Sequence, residues 1–279
     1  IPLARLDRDD VAAFIDALAS GGKLSRRGVQ ICRNVLRAAL AEAVGEGLIP
    51  RSPAALVGLP RTVAKEPPQN EVAVWTADEV DRFVATIDDH RWAIGFRLNV
   101  LYGLRRSELL ALKWDDLDAK RNTLRIDESL VKVASGAAWS DGKNERSRRT
   151  IPIDADTMKV FAHRRAQQAT ERLAAGAQWR DTDLILTTRQ GGLVLPRSYD
   201  RALVRVIDKA ELPRLASHGL RHTAATHMVA GARDLGELRA VADLLGHSLE
   251  MLLNVYAEVL PDHRTAVVDR IGQRAQKTR

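Results

Sequence analysis

The chain has 279 residues, with 43 lysines and arginines against 36 acidic side chains, a formal charge of +7. Apolar residues make up 45% and charged ones 28%, a globular balance that excludes wholesale disorder, and the length suits two domains at roughly 100–200 residues each. No apolar run approaches the ~20 residues that span a bilayer, and a sequence pI near 9.8 points to a polyanionic partner.

In chain order, residues 7–19 place Val11, Phe14, Ile15 and Leu18 at helical spacing, with acids in the first turn and a Gly21-Gly22 break behind them. A second helix over 25–45 repeats the pattern with Val29, Cys32, Val35, Leu36, Ala39 and Leu40. Its polar side carries Arg26, Arg27, Arg33 and Arg37, which reads either as a solvated face or as a row of phosphate contacts. Cys32, the single cysteine, reads as a small buried apolar residue and cannot form an internal disulfide. No Cys/His spacing matches a zinc site. Five prolines between Pro50 and Pro68 block helix and mark an extended linker, with the boundary near residues 62–73.

The second part opens on Trp75-Thr76-Ala77-Asp78-Glu79, a capping box ahead of helices over 77–88 and 91–101. Residues 122–133 and 148–153 alternate or are β-branched, with Ser135-Gly136 and Asp141-Gly142 between them, and predict one small antiparallel sheet. From 155 to 272 the pattern is helical, broken at Gly176, Gly191-Gly192 and Gly231.

Four stretches carry candidate chemistry. In GLRRSE, Gly103 ends one helix and Ser107 is placed to cap the next, so Arg105 sits at the junction. Lys143 lies in the turn-rich segment SDGKNERSRR. In HGLRH, His218 and Arg221 are three apart and share a helical face. LLGH, ending at His247, is followed nine residues later by Tyr256. The other tyrosines are Tyr102, in an apolar run, and Tyr199, in a loop-like stretch. Each motif alone is common; an arginine at a turn or a lysine at a hairpin tip is ordinarily solvated.

Taken in order, Arg105, Lys143, His218-x-x-Arg221, His247 and Tyr256 match the active site of the tyrosine recombinase family, and the chain resembles phage-type integrases over essentially its whole length. GLRRSE resembles the first-arginine motif, KNERSRRTIP the hairpin lysine segment, HGLRHTAATH the His-x-x-Arg box, and LLGHS with Tyr256 the box ending in the nucleophile. One departure is an apparent excess of about four residues, one helical turn, between Gly231 and His247.

The resemblance implies a fold that is mainly α with a small antiparallel β-sheet (α+β), arranged as a two-domain C-shaped DNA clamp. Residues 1–64 form the helical core-DNA-binding domain, 65–73 the linker and 74–279 the catalytic domain. It implies a site-specific DNA recombinase or integrase that cleaves and rejoins duplex DNA through a 3′-phosphotyrosyl intermediate formed on Tyr256, and that integrates a phage or other mobile element. Arg105 and Arg221 then clamp the phosphate with His247 as a further donor, because a guanidinium stays charged and donates two parallel hydrogen bonds. Lys143 is the candidate general acid and His218 the proton acceptor or relay. Arginine supplies the charge a metal gives elsewhere, so no metal, nucleotide or other cofactor is expected. His222 and His227 read as packing or capping residues, and Glu108 as the group that orients Arg105 or closes its helix.

The expected partners are double-stranded core attachment sites, sister protomers in a homotetramer on DNA, and accessory host or directionality factors, in the cytoplasm and away from membranes. The segment after Tyr256 (262–279) is expected to contact neighbouring protomers. The start at Ile1 without Met or leader suggests that an arm-binding domain precedes this part of the chain. Two alternatives stay open: a housekeeping chromosome-dimer-resolving recombinase, and a type IB topoisomerase-like strand transferase.

Overall fold

A computed structural model describes residues 1–60, 73–133, 136–141 and 148–256, with the backbone alone described at 131–133, 136–141 and 255–256. The chain divides into two compact units, Ile1–Glu71 and Val72–Arg279. All but the last residue of the expected linker, 65–73, lies outside the described residues, as do Lys143 and the segment 262–279.

In the first unit, α1 (Arg8–Ser20) starts where Asp7 accepts from the Asp10 N–H at 2.9 Å and Asp10 accepts in return from the Asp7 N–H at 3.2 Å. This reciprocal cap satisfies two donors that the helix itself cannot. α2 (Arg26–Gly45) packs on α1, and Val11, Ile15, Val29, Leu40 and Ala43 form the core with Ile49, Ala54 and Val57. The expected apolar face of α2 needs correction. Val35 is 64% exposed, Phe14 of α1 is also exposed, and Cys32 is only half-buried. Val35 lies nearly opposite Leu40 around a 3.6-residue helix, so both cannot face the same core.

The second unit begins with Trp75, whose N–H donates to Thr223 Oγ1 (3.1 Å) and whose ring nitrogen donates to the Pro213 carbonyl (2.9 Å). The predicted capping box is present: Glu79 N–H donates to Thr76 Oγ1, and Thr76 N–H to Glu79 Oε2. It opens α3 (Ala77–Ile87), followed by α4 (Ala93–Leu101), buried along most of its length, and the single turn α5 (Arg106–Leu109).

Two antiparallel sheets replace the one expected. β1 (Leu117–Asp118), β2 (Thr123–Ile126) and β5 (Arg149–Pro152) form the first, in the order β1-β2-β5. β3 (Glu128–Val133) pairs with β4 (Gly136–Asp141) in the second, from Glu128↔Asp141 to Val133↔Gly136. β4 occupies what reads in the sequence as turn. Its GAAWSD segment has no β-branched residue, and its cross-strand partner makes it a strand.

α6 (Ala155–Ala175), α7 (Pro196–Lys209), α8 (Ser217–Gly231), α9 (Leu235–Leu245) and α10 (Leu249–Tyr256) complete the unit. The stretch with the apparent extra turn forms α9, capped by Asp234, behind a short connection from α8. The continuous helical pattern expected after 155 fails between Trp179 and Leu195, which is irregular. Leu184, Ile185 and Leu186 are buried there, and neighbouring elements serve their backbone: Ile185 N–H donates to the Leu112 carbonyl, and Arg164 and Gln168 donate to the Ile185 and Leu184 carbonyls. Tyr199, expected in a loop, lies on α7 and is fully buried. Among the described residues, no helix is long and apolar enough to cross a membrane.

Candidate active site

The site forms where α5, α8 and the C-terminus of α9 meet, and each local sequence places its side chain there. Gly103 leaves α4 with φ of +66°, a left-handed conformation that suits glycine. An added Cβ at Gly103 would stand 2.7 Å from Leu245 Cδ2 and 3.4 Å from Ala224 Cβ, so the glycine also permits close approach of α8 and α9. The next turn is capped differently from the expectation. Arg105, not Ser107, is the N-cap of α5, and Glu108 accepts from the Arg105 N–H at 2.8 Å. Glu108 also holds Arg105 Nη1 at 2.8 Å, so it both closes the helix and orients the arginine.

Asn99 ties this junction to α8. Its buried amide donates to the Leu104 and Ser217 carbonyls (2.9 and 3.1 Å) and accepts from Ser217 Oγ (2.9 Å). The residues immediately before the two functional side chains, Leu104 before Arg105 and Ser217 before His218, are thereby fixed to one side chain.

At the end of α9, Gly246 is left-handed (φ 63°, ψ 43°), the His247 N–H bonds to the Ala242 carbonyl and the Gly246 N–H to the Asp243 carbonyl. These two bonds are a Schellman closure. Ser248 then caps α10 by accepting from the Met251 N–H at 3.1 Å. His247 is thus held between one helix end and the next helix start. Leu252 and Leu245, both buried, join α8, α9 and α10 in a small apolar cluster that anchors α10 four residues before Tyr256.

Arg221 is buried at 3% exposure. It donates to the Gly103 carbonyl, to the Leu245 carbonyl (2.6 Å) and to Nε2 of His247 (2.7 Å). Arg105 Nη2 reaches the Gly246 carbonyl at 3.4 Å. Arg105, His218 and Arg221 line a cleft of about 490 Å³ with Arg106, Ser107 and Leu215. His218 and His222 stand ring to ring, centroids 4.5 Å apart and Nε2 atoms 3.0 Å apart, so His222 pairs with His218 rather than serving as simple packing. His227 Nε2 lies 2.7 Å from the Trp75 carbonyl, a structural contact.

The charges set the protonation states. Burial and the guanidinium charges of Arg221, Arg105 and Arg149 push the His247 pKa down to about 4. Burial, then Arg221 and Arg105, lower His218; burial, then His218 and Arg221, lower His222. Burial works against ionised Glu108, but the hydrogen bonds and charge of Arg149 and the charge of Arg105 outweigh it and hold its pKa below the ordinary value. All three histidines are neutral near pH 7, Glu108 is ionised, and the cleft presents arginine charge to an anion.

Four expected site residues therefore converge: Arg105, His218, Arg221 and His247. Tyr256 ends α10 in the same unit, and only its backbone is described. Arg26, Arg27, Arg33 and Arg37 lie on α2 of the first unit. Arg26, Arg33 and Arg37 fall on one stripe by helical spacing, with Arg27 turned about 100° away. Arg149 joins the site without a motif of its own. Its only sequence signal is its place in RRTIP, yet its side chain, 7% exposed, bonds both oxygens of Glu108 at 3.0 Å. Among the described residues, no group of three or more His, Cys, Asp or Glu is placed to hold a metal.

The family model described as the phage integrase family matches residues 73–263. A tyrosine recombinase XerC-like protein of Caldanaerobacter subterraneus subsp. tengcongensis is 25% identical over 277 residues, covering 94% of this chain and 70% of its own length. Tyrosine recombinase XerC of Xanthomonas campestris pv. campestris (strain B100) is 28% identical over 280 residues, covering 99% of this chain and 77% of its own length. The Tn1549 transposon integrase, solved in complex with transposon right end DNA, shares the fold at a TM-score of 0.75 and 18% identity, covering 98% of this chain and 87% of that one.

Proposed function

The chain belongs to the phage integrase family of tyrosine recombinases, enzymes of DNA cleavage and rejoining, and on that premise we propose that it is a site-specific recombinase integrating a phage or other mobile element. The convergence of Arg105, Arg221 and His247 on the end of α9 supports the strand-cleavage chemistry of this reading. Two guanidinium groups held by protein carbonyls, and a histidine held by one of those guanidinium groups, are preorganised before DNA arrives for the charge that develops on a phosphate in the transition state.

In the proposed reaction the Tyr256 hydroxyl oxygen attacks phosphorus and the bond to the 5′-oxygen breaks. The phenol proton passes to His218, which is neutral and so able to accept it, and the leaving oxygen takes a proton from Lys143. The phosphoester energy is kept in the 3′-phosphotyrosine, and a 5′-hydroxyl of the partner strand reverses the step. The surroundings of the other tyrosines support Tyr256 as nucleophile. Tyr199 is fully buried, and the Tyr102 hydroxyl is engaged by Asp154 and Thr157.

In this reading residues 1–64 grip one face of the core site through Arg26, Arg27, Arg33 and Arg37, and residues 74–279 cut. Four protomers assemble on paired sites, with accessory factors setting direction, in the cytoplasm. Trapping a covalent complex on a nicked candidate attachment site tests it, and the absence of any adduct on such sites defeats it. The two XerC-type relatives, matched over nearly the whole chain, favour a second reading, resolution of chromosome dimers. A strict requirement for a second, different recombinase would select that role.

A further inference from the structure

Leu244, Leu245 and Gly246 close α9, and each of their carbonyls accepts from a different arginine: Arg149 Nε at 2.7 Å, Arg221 Nη2 at 2.6 Å and Arg105 Nη2 at 3.4 Å. These carbonyls form the negative end of the helix, where cations are favoured. Two of the three arginines line the cleft; Arg149 does not. Its two terminal nitrogens take both oxygens of Glu108, and the same oxygens hold the N–H and Nη1 of Arg105. One buried side chain thus joins the turn carrying Arg105 to the turn carrying His247.

Arg149 also opens β5, whose pairing with β2 runs through four registered pairs from Ile126↔Arg149 to Thr123↔Pro152. The joint is therefore backed by a sheet. Only a planar guanidinium satisfies a carboxylate with two parallel bonds and a carbonyl with a third; a lysine has one nitrogen to divide among them. We infer that Arg149 is a positioning residue for DNA cleavage, holding Glu108 and the Leu244 carbonyl together so that Arg105, Arg221 and His247 meet one phosphate. This rests on the proposed assignment of those three side chains to the scissile phosphate.

The test is single-turnover formation of the covalent complex on a nicked core-site duplex. Arg149→Lys keeps the buried charge but leaves acceptors unbonded, so melting should fall by a few degrees with the protein still folded in the assay and duplex affinity near wild type. Adduct formation should slow by about 10²-fold, the cost of a misplacement near 1 Å. A bridging sulfur at the scissile 5′-position, which leaves without a proton, should not restore the rate. The double variant Arg149→Met, Glu108→Gln removes both buried charges together but also takes the carboxylate from Arg105; it should fold and be slowed at least as much. Wild-type cleavage by either folded variant overturns the inference, and so does rescue by sulfur, which would make Arg149 a support for Lys143. If both variants melt below the assay temperature, Arg149 serves folding alone and the inference falls. Normal cleavage by Arg105→Ala and Arg221→Ala would instead defeat the phosphate assignment itself.

Discussion

Nη2 of Arg221 lies 2.7 Å from Nε2 of His247. A guanidinium has no lone pair to offer, so the imidazole nitrogen is the acceptor and the neutral ring carries its proton on Nδ1. Nδ1 is buried and has no hydrogen-bond partner among the described residues. If His247 donates to a phosphate, as the proposed function requires, that enclosed atom is the only donor its neutral ring has. Protonating Nε2 would both break the bond to Arg221 and add charge beside Arg105, Arg149 and His222.

A pH dependence follows from the folded pKa of about 4 against an ordinary 6.5. Between those values the unfolded chain binds a proton at this position and the native one does not, so stability falls as pH drops from 6.5 to 4. His218 and His222, also lowered, add in the same sense. The imidazole resonances of His247 should titrate near pH 4, and His247→Asn should flatten the melting profile across this window. A midpoint near 6.5 would contradict the packing of Arg221 on the ring.

Tyr256→Phe should bind duplex normally and form no covalent adduct. Mass spectrometry of the trapped wild-type complex should place the phosphate on Tyr256. A phosphopeptide containing Tyr102 or Tyr199 would end the assignment.

Lys143→Ala should cleave ordinary DNA slowly, by the 10²–10⁴-fold that general acids typically contribute, and recover much of that rate on a substrate with sulfur at the scissile 5′-position. Failure of sulfur to help would move the proton donor to another group.

Gly103→Ala forces a side chain into a left-handed conformation, at about 1–2 kcal/mol, and drives its Cβ against Leu245 at 2.7 Å. Leu245 supplies a carbonyl to Arg221. Melting temperature and cleavage should both fall, cleavage by more than the unfolded fraction explains. Unchanged turnover in a folded protein would show that this junction tolerates displacement.

Arg33→Ala and Arg37→Ala should each reduce the slope of log affinity against log salt by about one if each meets a phosphate. Equal slopes in wild type and both variants would return these arginines to the solvated face of α2.

The sequence alone determined whatever depends on neighbours a few positions apart. The capping box at Thr76–Glu79, the glycine after α4, the helical spacing of His218 and Arg221 and the order of the motifs are all local, because turn chemistry and helical period act within about four residues. The tertiary structure decided what depends on partners far along the chain. β4 is a strand because β3 pairs with it. The 179–195 stretch is irregular because α6 side chains and Leu112 serve its backbone in place of helical bonds. Arg149 reads as one more basic residue in RRTIP until Glu108 and Leu244, 41 and 95 positions away, close around it. Which nitrogen of His247 can donate is open in the sequence until Arg221, 26 positions away, fixes its tautomer. A hydrogen bond across such distances leaves no periodicity or local propensity in the sequence; it exists only once the intervening chain has folded and removed the competing water.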